Sequence, residues 1–370
     1  MSKRYSAFIT VLFCLFIFGF GVAHLVLADR DFSEQENRYL SQFKAPTFAT
    51  LKSGQFMEDF EDYIVDQFPL RDQWIQLKAL SEKSIGKEEN NGVYLGTDGQ
   101  TLFAQYTAPT DLDTRVGYVN QLADNLTVPV YFALIPDKSY VWADRLPDNA
   151  PLVDDGSTLA LAGQLCSNGV NWIDLSDALE GGDVFYRTDH HWSTMGAYQG
   201  YLALAEAMNG SVTILDYQPT LVSDSFYGTT WSSSGAGWVL PDEMYTWVPE
   251  TDNIIVTGYP TGVPQAGELY VEERLELKDK YSMFLGGNQP LCVIANSQAQ
   301  GGKLLVIRDS YSDSLAPFLA LDYAEVHLFD PRYNRTPISQ YVEENGIDQV
   351  LVLYSAANFA TDANLFQLGR

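Results

Sequence analysis

The chain has 370 residues, 46% of them hydrophobic and 13% aromatic, so it can bury a full core and lacks the low hydrophobicity of a disordered chain. A formal charge of -26 at pH 7 excludes nucleic acid and anionic membrane surfaces, both of which are bound through clustered Lys and Arg; otherwise it reads as solubility. Length alone permits one large domain or two smaller ones.

Met1-Ser2-Lys3-Arg4 is basic, and an uncharged apolar run follows from Ala7 to Leu27, long enough to cross about 30 Å of hydrocarbon. Residues 1–28 therefore predict an N-terminal transmembrane helix, with Lys3 and Arg4 cytoplasmic and everything after Asp29 outside. A cleaved signal peptide competes with this reading. Val26-Leu27-Ala28 offers a cleavage site, but the run exceeds the usual apolar stretch of about 7 to 15 residues. Cys14 has no lipobox around it.

Residues 29–90 read as a stalk followed by amphipathic helices. Positions 29–50 are polar with Pro46, and then Phe56, Phe60, Ile64, Trp74, Leu77, Leu80 and Ile85 recur at three- and four-residue steps. A break at Phe68-Pro69 divides this pattern into two helices. Asn90-Asn91-Gly92 and Thr97-Asp98-Gly99 bracket a short strand, Val93 to Leu95. In residues 91–370, continuous apolar runs at Val128 to Ile135, Val170 to Leu175, Leu304 to Ile307, Ala324 to Phe329 and Gln349 to Leu353 predict buried strands. Such strands belong in a central parallel sheet flanked by helices, an α/β fold. Residues 211–302 are dense in Gly, Ser and Trp, with strand-like Asn253 to Thr257 and Glu268 to Val271, and read as a β-rich insertion flanking the sheet. Cys166 and Cys292 could form one bridge or remain two buried thiols, and neither has metal-ligand spacing.

Of four histidines, His24 lies in the apolar run and His327 inside a predicted strand, where a satisfied core histidine is expected. His190 and His191 stand in Thr188-Asp189-His190-His191-Trp192-Ser193, just before a helix announced by Ser193-Thr194. A carboxylate two residues before a histidine can hold the imidazole in one tautomer, leaving its other nitrogen to act as a base. The best-placed hydroxyl is Ser310, in the polar turn between the strand ending at Ile307 and a helix predicted over Ser314 to Leu321. Such turns set a serine at the carboxyl edge of the sheet beside helix N-terminal amides. Ser312 and Ser314 are less well placed. Two other readings of the motif stay open. Asp189, His190 and His191 could ligate a metal, although no further ligand stands at an obvious spacing, or the cluster could be purely structural.

The Thr188 to Ser193 block resembles the signature of the DHHW protein family, relatives of the AlgX/AlgJ-like alginate O-acetyltransferases in the SGNH-hydrolase clan. Ser33 to Arg38, Gln67 to Asp72, Gly92 to Gly96 and Pro136-Asp137-Lys138 agree with it. The resemblance implies a circularly permuted SGNH-hydrolase-like fold, in which Leu304 begins the first strand and Val170 the fifth, so that Asp189 and His191 precede Ser310. It implies Ser310 as nucleophile, His191 as base, Asp189 as its orienter and Asn358 with the Ser310 amide as oxyanion donors. Arg332 would meet an acidic sugar or the oxyanion, Lys138 would meet a sugar acid on the substrate side or simply be solvated, and His190 and Trp192 would lie on the substrate side. Trp142, Trp192 and Trp231 are sugar platforms or core. Two departures from the pattern bear on these roles: Asp309 and Tyr311 flank the serine where small residues are usual, and Asp330 to Tyr333 replaces a glycine block.

The expected activity is extracytoplasmic O-acetylation of a cell-surface polysaccharide or wall polymer, with neither cofactor nor metal. An integral-membrane acyltransferase would be a partner, since no acetyl-CoA site is visible. A carbohydrate acetylesterase with the same triad and a non-catalytic glycan-binding or assembly protein are the alternatives.

Overall fold

The computed structural model describes residues 3–148, 150, 151 and 153–370; Met1 and Ser2 of the basic N-terminus lie outside the described residues. The chain divides into two compact units, Met1–Asn91 with Ser232–Trp238, and Gly92–Trp231 with Val239–Arg370.

In the smaller unit, Lys3–Val26 is one helix, apolar and long enough to cross a membrane. The two amphipathic helices are Gln55–Asp66 and Arg71–Ser84, parted at the proline as expected. Leu70 enters the second of them with φ at 60°. The stretch read as a plain stalk holds more structure than its polarity suggested. Phe32–Ser33 pairs with Arg38–Tyr39, and Phe48–Ser53 forms a helix whose N-cap, Thr47, exchanges hydrogen bonds with Thr50 in a capping box. Arg38 reaches the buried Asp66 carboxylate at 2.5 and 2.9 Å, and this bond, with the Ser41 amide, holds the carboxyl below its ordinary range.

The larger unit is built on an eight-stranded sheet. Its order is Gln265–Gly267, Ile254–Gly258, Leu291–Asn296, Tyr323–Phe329, Gly301–Arg308, Gln349–Ser355, Val130–Ile135, Val170–Asp174. The last five strands are mutually parallel and are those legible in the sequence, with ends displaced by one to three residues. The three central ones, Gly301–Arg308, Gln349–Ser355 and Val130–Ile135, carry the unbroken apolar runs because both faces are covered, whereas the edge strand Val170–Asp174 exposes Asn171 and Asp174. Leu304, Val306, Leu351, Leu353 and Ala133 join the helices Thr194–Asn209 and Ser312–Leu319 in one cluster. Leu305, Ile307, Val350, Val352 and Phe132 join Leu112–Asn125, Asp155–Leu165 and Ile338–Asn345 in the other. Cys292 lies in the first cluster and Cys166 packs on the second, so the sheet separates them; both are free thiols and the bridge does not form.

Residues 211–302 do more than flank this sheet. Ile254–Gly258, Gln265–Gly267 and Leu291–Asn296 extend it antiparallel from Tyr323–Phe329. The strand expected at Glu268 to Val271 is displaced to Gln265–Gly267, and Tyr270 makes only an isolated bridge to Phe284. Leu291–Asn296 escapes sequence reading although Leu291 to Ala295 is an apolar run; in the sheet its residues alternate between half-buried and buried.

Counted from Gly301–Arg308, the parallel strands lie in the order second, first, third, fourth, fifth, the flavodoxin-like arrangement. The chain enters this order at the fourth strand, which is the expected circular permutation. In such sheets ligands bind outside the carboxyl ends of the strands where the order reverses, here between the first and third.

Candidate active site

Ser310 lies two residues beyond Gly301–Arg308, at that reversal. His191 Nε2 is 2.7 Å from Ser310 Oγ, and His191 Nδ1 is 2.6 Å from Asp189 Oδ1. An ionised carboxylate only accepts, so Nδ1 carries the proton and Nε2 is left to accept from the serine hydroxyl. The His191 backbone N–H also donates to Asp189 Oδ1 at 3.0 Å. The other carboxylate oxygen accepts from the Thr229 N–H at 2.7 Å and the Thr229 hydroxyl at 3.0 Å. Burial alone would raise the Asp189 carboxyl, but His190, His191 and these hydrogen bonds hold it well below the ordinary carboxylate range. Asp189 is therefore a fixed anion with both oxygens occupied.

The preceding turn is held as firmly. Asp242, from the insertion, accepts from the Arg187 N–H, the Thr188 N–H and the Thr188 hydroxyl at 2.6 to 3.0 Å. Lys138 is buried, and its Nζ donates to the carbonyls of Tyr186, Arg187 and Asp189 at 3.0, 3.3 and 2.6 Å. Burial pushes it down to about 8. Gly228 backs onto Asp189 so closely that a Cβ there would lie 2.2 Å from the Asp189 Cβ and Oδ2.

Two further groups set the serine and the imidazole. Tyr281, from the insertion, stacks on the His191 ring with centroids 3.8 Å apart and planes 9° from parallel, and its hydroxyl donates to the Ser310 carbonyl at 3.1 Å. Asp309 is fully buried: Oδ1 accepts from the Tyr311 N–H, and Oδ2 from the Ser355 N–H, the Ser355 hydroxyl and the Asn358 side-chain amide, at 2.8 to 3.0 Å. The carboxylate that replaces a small residue thus ties the nucleophile turn to the end of Gln349–Ser355. Sequence reading found neither Tyr281 nor Thr229; both sit in the irregular insertion, where nothing in the residue pattern marks them.

Residues 172–329 match the family model "DHHW protein", and residues 104–229 match "SGNH hydrolase-like domain, acetyltransferase AlgX". A DHHW family protein from Eubacterium siraeum DSM 15702 superposes with a TM-score of 0.65 at 23% identity, over 76% of this chain and 95% of that one. The chain is DHHW- and AlgX-like. Bacillus cereus PatB1, solved with a sulfonyl adduct, gives a TM-score of 0.62 at 20% identity over 75% of this chain and 99% of its own. At these identities the solved structures speak for the fold alone. A probable alginate O-acetylase AlgJ from Pseudomonas syringae pv. tomato is 26% identical over 178 residues, 43% of this chain and 44% of the relative. The chain spans less than half the length of the curated relatives it matches.

Several residues that the DHHW- and AlgX-like resemblance assigns to substrate are engaged elsewhere. Lys138 spends its donors on three carbonyls inside the protein and does not meet a sugar acid. Trp192 is fully buried; its Nε1 donates to the Tyr311 carbonyl at 2.9 Å and the Ser314 hydroxyl at 3.0 Å, bracing the turn behind Ser310. Trp142 is buried against Phe185 and Arg145, so neither tryptophan is a sugar platform. Trp231 is half-buried, beside Tyr227 and under Lys278. Arg332 grips the buried Asp330 through Nε and Nη2 at 2.7 to 3.2 Å; burial opposes its charge, but Asp330 keeps it raised above the ordinary guanidinium value. Asn358 gives one amide hydrogen to Asp309 and keeps the second. Ser312 is buried and Ser314 is bonded to Trp192 and Tyr281, which removes both as alternatives to Ser310.

His190 Nδ1 is 2.8 Å from the Thr229 hydroxyl oxygen. That hydroxyl gives its hydrogen to Asp189, so His190 donates to it from Nδ1 and turns an unprotonated Nε2 away. Desolvation and the adjacent His191 push His190 down to about 4, so it is neutral at physiological pH. One ligand atom each from Asp189, His190 and His191 lie within 4.8 Å of one another, a set that could hold a metal. Binding there would compete with the Asp189 to His191 hydrogen bond.

Proposed function

We propose that this site carries out serine-type acyl transfer, with a glycan hydroxyl as the acceptor. The observation that carries the reading is the unbroken hydrogen-bond chain from the Asp189 carboxylate through His191 to the Ser310 hydroxyl. Ser310 Oγ attacks the acyl carbonyl as His191 Nε2 takes its proton, and Asp189 stabilises the imidazolium that results. The tetrahedral oxyanion is received by the Ser310 N–H and the second amide hydrogen of Asn358, donors fixed in advance by Asp309. His191 returns the proton to the leaving group. It then deprotonates the acceptor hydroxyl, which takes the acyl group and frees Ser310.

The names of the matched relatives, alginate O-acetylase and acetyltransferase AlgX, support acetyl as the group and a polysaccharide as the acceptor class. The apolar N-terminal helix supports a membrane-anchored protein acting outside the cytoplasm, where a membrane acyltransferase would deliver the donor.

Two measurements on the full chain test this. A sulfonyl fluoride should add covalently to Ser310 in the native protein and not in Ser310→Ala. An activated acetyl ester with an oligosaccharide acceptor should give acetylated sugar. Release of acetate without transfer would make the protein an esterase, and equal turnover by Ser310→Ala would end the catalytic reading.

A further inference from the structure

We infer that the helix pair Gln55–Asp66 and Arg71–Ser84 lies in the outer leaflet of the membrane that Lys3–Val26 spans, as a second, in-plane attachment. The inference rests on reading Lys3–Val26 as spanning, and is independent of the catalytic reading.

The depth of the contacts carries it. Phe20 stacks on Phe68 with centroids 5.3 Å apart and meets Trp74 at 5.8 Å; Phe16 meets Trp74 at 6.3 Å. Phe20 precedes the helix end at Val26 by six residues and Phe16 by ten, so they stand about 9 and 15 Å below that end at 1.5 Å per residue. The outer half of a bilayer's hydrocarbon is about 15 Å deep. Side chains that touch Phe16 and Phe20 must therefore reach below the headgroups. Just above them the contacts turn polar: the Arg30 N–H donates to the Gln67 side chain at 2.9 Å, and the Arg30 guanidinium pairs with Asp72 at 2.7 Å. Aromatic rings below and charges above is the order of a membrane interface.

The surface of the helix pair fits the same occupant. Phe56, Met57, Phe60, Tyr63 and Ile64 share one side of the first helix at 100° per residue, and Glu58, Asp59, Glu61 and Asp62 take the other. On the second helix Leu77 and Leu80 are exposed. Among the described residues, twelve large apolar side chains stand exposed between positions 29 and 91, against eleven in the whole of the larger unit, so the exposure is a property of this segment. The acidic side points to an uncharged lipid surface, entered by apolar contact.

The test is depth measurement on the full chain in phosphatidylcholine vesicles, with Cys14, Cys166 and Cys292 replaced by serine and one cysteine carrying an environment-sensitive dye. Leu77→Cys and Leu80→Cys should emit blue-shifted and lose most of their intensity when the vesicles contain brominated lipid, as Leu12→Cys in the spanning helix does. Glu82→Cys should stay aqueous. Aqueous emission at 77 and 80 overturns the inference, and quenching at 12 alone would place the failure in the helix pair rather than the anchor. Disulfide formation between two copies through residue 77 would also overturn it, making the face a protein interface.

Discussion

Gly228→Ala should cripple the site while leaving Asp189, His191 and Ser310 themselves unsubstituted. The new Cβ would sit 2.2 Å from the Asp189 Cβ and Oδ2 and 2.6 Å from its Cγ, whereas carbon atoms pack at about 3.5 Å. Asp189 and residue 228 must part by roughly 1 Å. The Gly228 segment is tied to the Asp189 turn by the Thr188 hydroxyl at 3.1 Å and by Thr229, so the carboxylate takes part of the shift. The His191 Nδ1 to Asp189 Oδ1 bond, 2.6 Å long, is then stretched and misaligned. Misplacing a reacting group by this much costs on the order of 100-fold, and losing the carboxylate's hold on the tautomer about 10,000-fold. We expect kcat/KM for an activated acetyl ester to fall between these limits, while overpacking lowers stability by about 1 to 3 kcal/mol. Ester turnover and denaturant unfolding should be measured on the same preparation. A folded Gly228→Ala protein with kcat/KM near that of the native chain would refute the argument.

Tyr281→Phe keeps the ring on His191 but loses the hydroxyl bonds to Ser310 and Ser314. It should cost about 1 kcal/mol of stability and lower kcat several-fold, read by unfolding and ester turnover. Lys138→Met strips three buried carbonyls of their donor, so stability should fall by at least about 2 kcal/mol and kcat with it; unchanged kcat would show that Lys138 does not position the Asp189 turn. Burial raises the Asp155 carboxyl from 3.8 to about 6, so between these values the folded state alone holds the proton. Stability should fall as pH rises through that window, by up to ~3 kcal/mol from this group, and Asp155→Asn should flatten the slope of unfolding free energy against pH. Because Cys166 and Cys292 are free thiols, reductant should leave the thermal midpoint unmoved.

The sheet was legible where the physics was one-sided. Central strands covered on both faces read as apolar runs, and the permuted order came with the family resemblance. Leu291–Asn296 was missed although Leu291 to Ala295 is apolar, because it lies at the end of a stretch rich in Gly, Ser and turn residues, and it pairs on both sides inside the sheet. The meeting of Asp189, His191 and Ser310 was legible because an acid two residues before a histidine, and a serine in a strand-to-helix turn, occupy positions that the fold converts into neighbours. What supports them was not. Thr229, Gly228, Asp242 and Tyr281 come from a segment without periodicity, and their value lies in distances across the chain. Lys138, next to a proline and an aspartate, looks solvated in one dimension, while in three it replaces water for three carbonyls. Arg332 and Asn358 stood at strand ends as expected, but the carboxylates that hold them, Asp330 and Asp309, are named only by geometry.

The permuted strand order also bears on how the protein is made. Val130–Ile135 and Val170–Asp174 leave the ribosome first, yet the neighbour that shields Val130–Ile135 on its other side is Gln349–Ser355, which emerges well over a hundred residues later. A nascent chain therefore carries an open, apolar strand edge over that interval, and the middle of the sheet closes only once Gln349–Ser355 has emerged. An edge left open in this way favours a holding chaperone and makes truncations that remove Gln349–Ser355 prone to aggregate rather than merely inactive.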